Sequence, residues 1–389
     1  MKKNQLNEIS NLGEFALIDR LSKNFTITDK KLVKGIGDDA AVFEASKDNC
    51  FLVATDLLVE GIHFDLIYSP LKHLGYKAVA VNLSDIYAMN AKPKYITVSI
   101  AISKKFSVQA LDLLYEGINL ACERFDVELI GGDTTSSLSG LFINITVIGE
   151  AKKDEIVYRS TAKKNDLICV SGDLGAAYMG LQILEREKEV FMQDPQIQPD
   201  LQGYDYIIER QLKPEPRRDI INRLKEAGIK PNSMIDISDG LSSEVLHLCK
   251  QSNLGAVIYE DKIPINQQTA QAAEMFRLLP LISALNGGED YELLFTVPLS
   301  EKEKIERVQD VSIIGYMHED SNKKLLIPVN GEEIELKALG WWISVKSDAL
   351  NVVEVLKVES DALNVVEVLN RACELTEGKV EPSLRAHRR

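Results

Sequence analysis

The chain has 389 residues, which is enough for two domains of ordinary size, and its hydrophobic content of 45% is typical of a globular protein. Its 45 basic and 59 acidic residues give a formal net charge of −14, which argues against a nucleic-acid or anionic-membrane surface and favours a small-molecule partner. The five cysteines are scattered and lack CxxC spacing, so they indicate neither a disulfide framework nor a zinc site and fit a reducing cytoplasm. No stretch approaches about 18 uninterrupted apolar residues, so we expect a protein that is neither exported nor membrane-spanning.

The first 150 residues mix helical and extended patterns. A buried strand is predicted to end at Asp56, and a mainly apolar helix contains Asp85, whose carboxylate needs a partner in such surroundings. The predicted helices span 13–21, 72–89 and 107–125, and the predicted strands span 50–55, 95–102, 128–130 and 141–149. The third of these strands leads into a predicted turn, Gly131–Thr135, and residues 1–150 are predicted to form a first domain.

Residues 151–342 are predicted to form a second domain that again mixes the two kinds of element. The predicted strands span 166–171, 234–237, 256–259, 292–297 and 311–316, and the predicted helices span 176–187, 217–227 and 241–250. Residues 190–204 are rich in Gln, Asp and Pro, which predicts a surface loop. The mixture of strands and helices in both units indicates an α/β or α+β fold.

Residues 343–389 differ from the rest of the chain. The sequence SDALNVVEVL occurs at 347–356 and again, unchanged, at 360–369, an offset of 13 residues. On a straight helix this offset turns the second copy by roughly 140°, and two short copies do not make a solenoid. We interpret the duplicated tail as an artificial or frame-altered extension; a native pair of C-terminal helices is the alternative.

Carboxylates recur beside glycines and at the ends of apolar segments. Six aspartates share this context: Asp39, Asp56, Asp85, Asp133, Asp236 and Asp239. Two bare carboxylates about 4 Å apart repel by about 4 kcal/mol at an effective dielectric of about 20, and oxygen ligands of this kind suit magnesium rather than zinc. Any one of these residues could instead be a cap or turn residue. The repeated context favours a site for several Mg²⁺ ions.

The commonest nucleotide-binding motifs are missing or do not fit. Gly35–Ala40 matches GxGxxA formally, but two carboxylates occupy the turn where backbone amides should meet a pyrophosphate. No Walker A, HRD or DFG sequence occurs. Gly131–Thr135 and Gly287–Asp290 are glycine-flanked acidic turns that could bind phosphate or metal, each a weak signal alone. Arg159 could pair with phosphate or form a rim salt bridge, and His63 could face a ligand or simply pack.

An ordered series of motifs over about residues 10–342 resembles the thiamine-monophosphate kinase family. The series is GIGDDAAV at Gly35, TDLLVEGIHF at Thr55, NLSDIYAM at Asn82, GGDTT at Gly131, YRSTAKKND at Tyr158, RQLKPEPR at Arg210, DISDGL at Asp236 and GGEDYELLFT at Gly287. The resemblance implies two α/β domains of the aminoimidazole-ribonucleotide-synthetase-like fold. It also implies that the N-terminal domain, 1–150, binds ATP and magnesium and pairs with that of a second subunit into a barrel-like dimer core.

The resemblance further implies ATP-dependent transfer of the γ-phosphoryl group to thiamine monophosphate, giving thiamine diphosphate in the last step of its biosynthesis, with no covalent enzyme nucleophile. By motif position the magnesium-associated residues are Asp39, Thr55, Asp56, Asp85, Asp133, Asp236 and Asp239; the ATP contacts are Gly132, Asp133, Arg159, Ser238 and Tyr115; and the substrate contacts are His63, Glu289 and Trp341. After Trp341 the chain departs from the family's His-Phe type ending. Asp38 is left as a supporting charge or turn residue.

Two other functions stay open at this point. One is another ATP-dependent synthetase or kinase of the same superfamily, and the other is a non-catalytic module that binds magnesium and nucleotide. Turnover of thiamine monophosphate against other phosphorylated acceptors separates the first from the predicted kinase, and ATP binding without turnover of any acceptor would favour the second.

Overall fold

The structure is a computed structural model that describes residues 14–23, 25–26 and 28–338. The duplicated tail at 343–389 and Trp341 lie outside the described residues, so the predictions made for them are not taken further by the structure. Within the described part of the chain, no helix combines the length and apolar character needed to cross a membrane.

The first part of the chain builds a six-stranded sheet with two long helices packed on one face. Its elements are α1 (Glu14–Ser22), β1 (Leu32–Lys34), β2 (Ala41–Glu44), β3 (Asn49–Val59), α2 (Leu71–Ala88), β4 (Lys92–Ile102), α3 (Val108–Phe125), β5 (Glu128–Ser136) and β6 (Phe142–Lys152). The strand order is β1-β2-β3-β6-β4-β5, and the pairing of β4 with β5 is parallel. The predicted domain boundary at 150/151 falls near the end of β6, and the division into domains stays a prediction.

One face of this sheet is buried and the other is open. Along β3, Cys50, Leu52 and Ala54 are buried, whereas the alternate residues Thr55 and Leu57 are exposed, because successive side chains of a strand point to opposite faces. The edge strand β5 is exposed at all nine positions. The sheet does not close into a barrel within one chain, so the predicted barrel-like dimer core requires a second copy and stays a prediction.

The rest of the chain builds a seven-stranded sheet. Its elements are β7 (Leu167–Ser171), α4 (Ala176–Gln193), α5 (Asp205–Leu212), α6 (Arg218–Glu226), β8 (Ser233–Asp236), α7 (Leu241–Ser252), β9 (Gly255–Tyr259), α8 (Gln267–Met275), α9 (Pro280–Asn286), β10 (Leu293–Val297), α10 (Lys302–Ile305), β11 (Val311–His318), β12 (Lys324–Ile327) and β13 (Ile334–Glu335). The strand order is β13-β12-β9-β11-β7-β10-β8. The fold is therefore mixed α/β with two sheets, as the sequence predicts.

The two sheets are joined by polar contacts between the segment that leads into α2 and the helices of the second half. The Tyr68 hydroxyl donates to Glu185 Oε1 at 2.7 Å, and Lys188 Nζ lies 2.9 Å from Asp65 Oδ2. The Tyr76 hydroxyl donates to Glu215 at 2.8 Å. These contacts fix the start of α2 against α4 and against the segment that follows α5.

Two predictions of local structure are wrong. Gly131–Thr135 is not a turn: it is the middle of β5, paired with β4 from Tyr95 opposite Glu128 to Ile102 opposite Ser136. A Cβ atom on Gly132 would lie 1.9 Å from the carbonyl oxygen of Val98, so glycine permits the close approach of the two strands. The predicted loop at 190–204 also begins too early, because α4 continues to Gln193.

Candidate active site

Three carboxylates from three different elements meet between the two sheets. Asp39 lies in the loop before β2, Asp85 lies on α2, and Asp236 is the last residue of β8. Each offers an oxygen atom, and these atoms all lie within 4.8 Å of one another. Asp39 and Asp236 are buried, and Asp85 is partly buried. The cluster therefore draws on both halves of the chain.

The electrostatics of this acidic cluster call for a cation. Burial, and then the charges of Asp56, Asp236 and Asp39, raise the pKa of Asp85 well above its ordinary value. Burial followed by the charge of Asp39 raises the pKa of Asp236 to about 8. Carboxylates that resist ionisation because they share one site ionise readily only when an opposite charge joins them. The donor set is entirely oxygen, which fits Mg²⁺.

Arg159 supplies part of that opposite charge. Its Nε donates to Asp39 Oδ2 at 3.0 Å and its Nη2 donates to Asp39 Oδ1 at 2.5 Å, a bidentate pair. Its backbone N–H donates to Asp38 Oδ1 at 3.2 Å, and Lys34 forms an ion pair with Asp38 at 3.3 Å. Burial, followed by repulsion from Asp39, raises the pKa of Asp38 to about 6. Asp38 thus binds the segment that carries Arg159, whereas Asp39 joins the cluster.

The adjacent residues Thr55 and Asp56 lie on opposite faces of β3. Asp56 is on the helix-covered face, where its charge acts on Asp85 and where its backbone N–H donates to Asn82 Oδ1 at 3.0 Å. Thr55 is on the open face, where its hydroxyl donates to the carbonyl oxygen of Ile145 at 3.1 Å. The structure therefore brings Asp56 beside the acidic cluster and leaves Thr55 outside it.

The loop after β8 is held by a buried glutamate that the sequence analysis missed. Oε1 of Glu244, on α7, accepts hydrogen bonds from the backbone N–H groups of Ser238 at 3.1 Å and Asp239 at 2.8 Å. Glu244 is 1% exposed, and burial followed by the charge of Asp239 raises its pKa well above the ordinary value. The sequence signal that could have indicated Glu244 is its position as the fourth residue of the helix that follows Asp239-Gly240. Glu244 fixes the backbone from which Ser238 and Asp239 project.

The two predicted substrate contacts inside the described chain lie near one lysine. Glu289 has a positive φ of 56°, and its backbone N–H donates to the carbonyl oxygen of Ser238 at 2.7 Å. Its carboxylate contacts Lys77 at 3.2 Å. His63 Nδ1 accepts from the backbone N–H of Val59 at 3.0 Å, and His63 lines a cavity of about 10 Å³ together with Lys77.

Besides Thr55, three further predicted residues stand apart from the acidic cluster. Gly132 and Asp133 lie on the exposed edge strand β5, and β6 and β4 separate that strand from β3. Tyr115 lies on α3, where it packs against the hydrophobic core of the first half. Their predicted roles toward ATP and metal stay predictions.

Two motifs of the series, RQLKPEPR and GGEDYELLFT, meet in a second buried polar network. Glu292 is fully buried and accepts hydrogen bonds from Arg210 Nη1 at 2.6 Å and from the Ser171 hydroxyl at 2.5 Å. It also accepts one from Arg217 Nη1. Asp290 accepts from the backbone N–H groups of Gly175 at 2.7 Å and Ala177 at 3.3 Å, at the N-terminus of α4. This network anchors the loop that carries Glu289.

The raised pKa values predict that the metal-free protein becomes less stable as pH rises from 6 to 8.5. The folded states of Asp85 and Asp236 retain protons that the unfolded chain, with pKa values near 3.8, has already released. Stability is therefore fully present below the unfolded pKa and falls as pH rises toward 8. We expect thermal unfolding in chelator to give a lower midpoint at pH 8.5, and a smaller difference in Asp236→Asn. A midpoint that rises over this range in the unmodified chain would contradict the arrangement.

Comparison with known proteins identifies the class first. The family model described as AIR synthase related protein, N-terminal domain, matches residues 37–151, and the model of the corresponding C-terminal domain matches residues 165–327. The chain is therefore an AIR synthase related protein with both domains.

Relatives narrow the class to one family. The thiamine-monophosphate kinase of Bacillus subtilis (strain 168) is 34% identical over 335 residues, covering 85% of this chain and 99% of that protein. That of Aquifex aeolicus (strain VF5) is 33% identical over 334 residues, covering 86% and 98%. A solved structure of AaThiL complexed with AMPPCP and TMP has 31% identity and a TM-score of 0.72, covering 87% of this chain and 99% of that one. The chain belongs to the thiamine-monophosphate kinase family.

Proposed function

We propose that this chain transfers the γ-phosphoryl group of ATP to the phosphate of thiamine monophosphate, giving thiamine diphosphate in the last step of its biosynthesis. The observation that carries the proposal is the acidic cluster of Asp39, Asp85 and Asp236, which two halves of one chain bring within 4.8 Å. The relatives whose sequences match this chain over almost their full lengths are named thiamine-monophosphate kinases. The similar solved structure, AaThiL, is described as complexed with AMPPCP and TMP.

We propose Mg²⁺ as the cation of the acidic cluster. The all-oxygen donor set supports Mg²⁺, because hard divalent ions prefer oxygen ligands. The raised pKa values of Asp85 and Asp236 also support it, because a bound cation would offset the repulsion between these carboxylates. Asp39, Asp85 and Asp236 would hold the metal, with Asp56 beside them. When bound, magnesium neutralises charge on the phosphates of ATP. Thr55, Asp133 and Asp239 are proposed as further magnesium-associated residues on motif position alone.

The main role of the chain's residues is to position the phosphates of ATP and of the acceptor. Phosphoryl transfer passes through a loose transition state, so alignment and charge neutralisation account for most of the catalysis. The acceptor phosphate, with a second pKa of about 6, is already ionised at neutral pH, so no general base and no covalent nucleophile are required. Arg159, which pairs with Asp39 in the structure, is proposed to turn to a phosphate of ATP. Gly132, Asp133, Tyr115 and Ser238 are proposed as further ATP contacts.

The substrate contacts are proposed from motif position together with the site geometry. Glu289 and His63 are supported by their common neighbour Lys77 at the junction of the two halves. Trp341, in a part of the chain that the structure does not describe, is proposed on motif position alone.

The decisive experiment is a coupled assay of ADP release together with direct detection of thiamine diphosphate. The full chain is expected to turn over with ATP, Mg²⁺ and thiamine monophosphate, and to lose turnover when a chelator is added. Unphosphorylated thiamine, and phosphorylated acceptors other than thiamine monophosphate, serve as controls. Turnover only with another acceptor would favour a different kinase or synthetase of the superfamily. ATP binding with no turnover of any acceptor would favour a non-catalytic module.

We propose a homodimer that pairs through the open face of the first sheet, in a cytoplasmic setting where the buried free cysteines Cys50, Cys122, Cys169 and Cys249 stay reduced. Support comes from the exposed β5 and from Leu57, which is 50% exposed on that face. Sedimentation velocity at micromolar concentration is expected to give a dimer that Leu57→Asp dissociates. Leu299→Asp, at a 58% exposed leucine in the second half, is the matched control. A monomeric unmodified chain would contradict the proposal.

A further inference from the structure

Lys77 is a buried lysine at the junction of the two halves, and no motif signalled it. It lies on α2 and is 3% exposed. Its Nζ donates to Glu289 Oε2 at 3.2 Å and to the carbonyl oxygen of Gln211 at 3.1 Å. Lysine is almost never fully buried unless it is paired, because transfer of an ammonium group out of water is costly. The position of Lys77 therefore depends on its partners in the second half.

Both donors around Glu289 contact the same carboxylate oxygen. Gln211, on α5, donates from Nε2 to Glu289 Oε2 at 2.8 Å, beside the contact from Lys77. Among the residues that the structure describes, no hydrogen bond reaches Glu289 Oε1. Two donors on one oxygen fix the plane of the carboxylate and leave the second oxygen available to a ligand.

The surroundings keep this arrangement rigid. The backbone of Glu289 has φ 56° and is tied to the Ser238 carbonyl, so the side chain leaves a fixed point. Tyr76, the residue before Lys77, donates to Glu215, which locks this turn of α2 against the second half. His63 and Gln211 line the same small cavity as Lys77. Lys77 thus contacts one predicted substrate residue, Glu289, and lines the same cavity as the other, His63.

We infer that Lys77, with Gln211, is a positioning residue that orients the Glu289 carboxylate so that Oε1 meets the cationic heterocycle of the substrate. The inference rests on the proposed function and deepens it, because thiamine monophosphate carries a permanent positive charge on its thiazolium ring and an amino group on its pyrimidine. A carboxylate oxygen is the group that recognises both. Lys77 contacts Glu289 and Gln211, so we expect it to act on the affinity for the acceptor and to leave the phosphoryl-transfer step to other residues.

Lys77→Met, which removes the ammonium group and keeps the rest of the unbranched side chain at similar length, tests the inference in the full chain. We expect the KM for thiamine monophosphate to rise at least tenfold, with the KM for ATP unchanged within twofold. Lys72→Met is the matched control: it lies on the same helix, its side chain is 43% exposed, and its ion pair is with the exposed Glu116, so both KM values should stay unchanged. Calorimetric titration of thiamine monophosphate gives the same comparison without turnover.

A double-variant cycle shows whether Lys77 acts through Glu289. Glu289→Gln combined with Lys77→Met is expected to bind thiamine monophosphate no more weakly than Glu289→Gln alone, because the lysine then has no carboxylate to orient. Should Lys77→Met fail to fold, Gln211→Leu removes the other donor while the lysine remains. That variant is expected to weaken binding of thiamine monophosphate two- to fivefold.

The outcomes separate this inference from the proposed function. Equal rises in both KM values, or additive effects in the cycle, mean a merely structural lysine and overturn the inference. A chain that binds thiamine monophosphate in a Lys77-dependent way but releases no ADP supports the inference and overturns the kinase activity. A chain that does not bind thiamine monophosphate at all overturns both.

Discussion

Replacing Asp85 by asparagine is expected to lower the rate of ADP release with thiamine monophosphate by about 10³-fold while the protein keeps its fold. Asp85 is the cluster carboxylate whose pKa is raised by burial and by three neighbouring aspartates. An amide of the same shape removes the charge that a magnesium ion needs. It also removes the repulsion between residue 85 and the neighbouring carboxylates, so the unfolding midpoint of metal-free Asp85→Asn should equal or exceed that of the unmodified chain. Active-site groups often lower stability in this way.

The measurement is a steady-state assay at saturating ATP and Mg²⁺, with thermal unfolding in chelator beside it. Asp112→Asn is the matched control, since Asp112 lies exposed on the neighbouring helix α3 and is expected to leave both readouts unchanged. Turnover within threefold of the unmodified chain would remove Asp85 from the metal site. Loss of turnover with a collapsed unfolding midpoint would mean a structural role.

Replacing Glu292 by glutamine is expected to lower the free energy of unfolding by about 3–5 kcal/mol. Glu292 is fully buried between Arg210 and Arg217, and its removal leaves two guanidinium groups without their shared counter-charge. Burial opposes the charged form of each arginine, and the neighbouring charge of Glu292 raises the pKa in both. Gly172, with φ 56°, lies directly against these side chains: a Cβ atom added there would lie 2.3 Å from Glu292 Oε1 and 2.6 Å from Arg217 Nη1.

Chemical denaturation, with the midpoint and the m-value both fitted, measures this change. Glu319→Gln is the matched control because Glu319 pairs with Lys164 at the surface with 64% side-chain exposure, and it should leave the denaturation midpoint close to that of the unmodified chain. A loss in Glu292→Gln as small as in the control would mean that solvent enters the network and satisfies both arginines.

The long elements of the fold follow directly from hydrophobic pattern. The predicted helix at 72–89 is α2, Leu71–Ala88, an 18-residue helix that is buried along most of its length. The helices α8 and α9 escaped prediction since they are short, and α8 buries only Thr269, Ala272 and Ala273. The error at Gly131–Thr135 has a different cause. Glycine and aspartate favour turns locally, but parallel pairing with β4 decides the conformation there.

The candidate site was partly predictable for a related reason. Aspartates at the ends of apolar segments indicated that carboxylates would gather, and the structure brings Asp39, Asp85 and Asp236 together. Lys77 gave no such signal, since one lysine in an apolar helix resembles a surface residue until its partner is known. Its partner Glu289 is 212 residues away in sequence. Contacts of that range depend on how two halves dock, which no local pattern encodes.

Because both halves of the chain contribute carboxylates to the acidic cluster, the site constrains how such a protein can evolve. Asp39 and Asp85 come from one half and Asp236 from the other, so neither half contains a complete ligand set. Any cation or nucleotide that binds there also stabilises the docking of the two halves, so the affinity for the ligand and the free energy of docking are thermodynamically linked. A gene that lost or exchanged one half would lose the chemistry at once. The two halves are therefore bound to be inherited together.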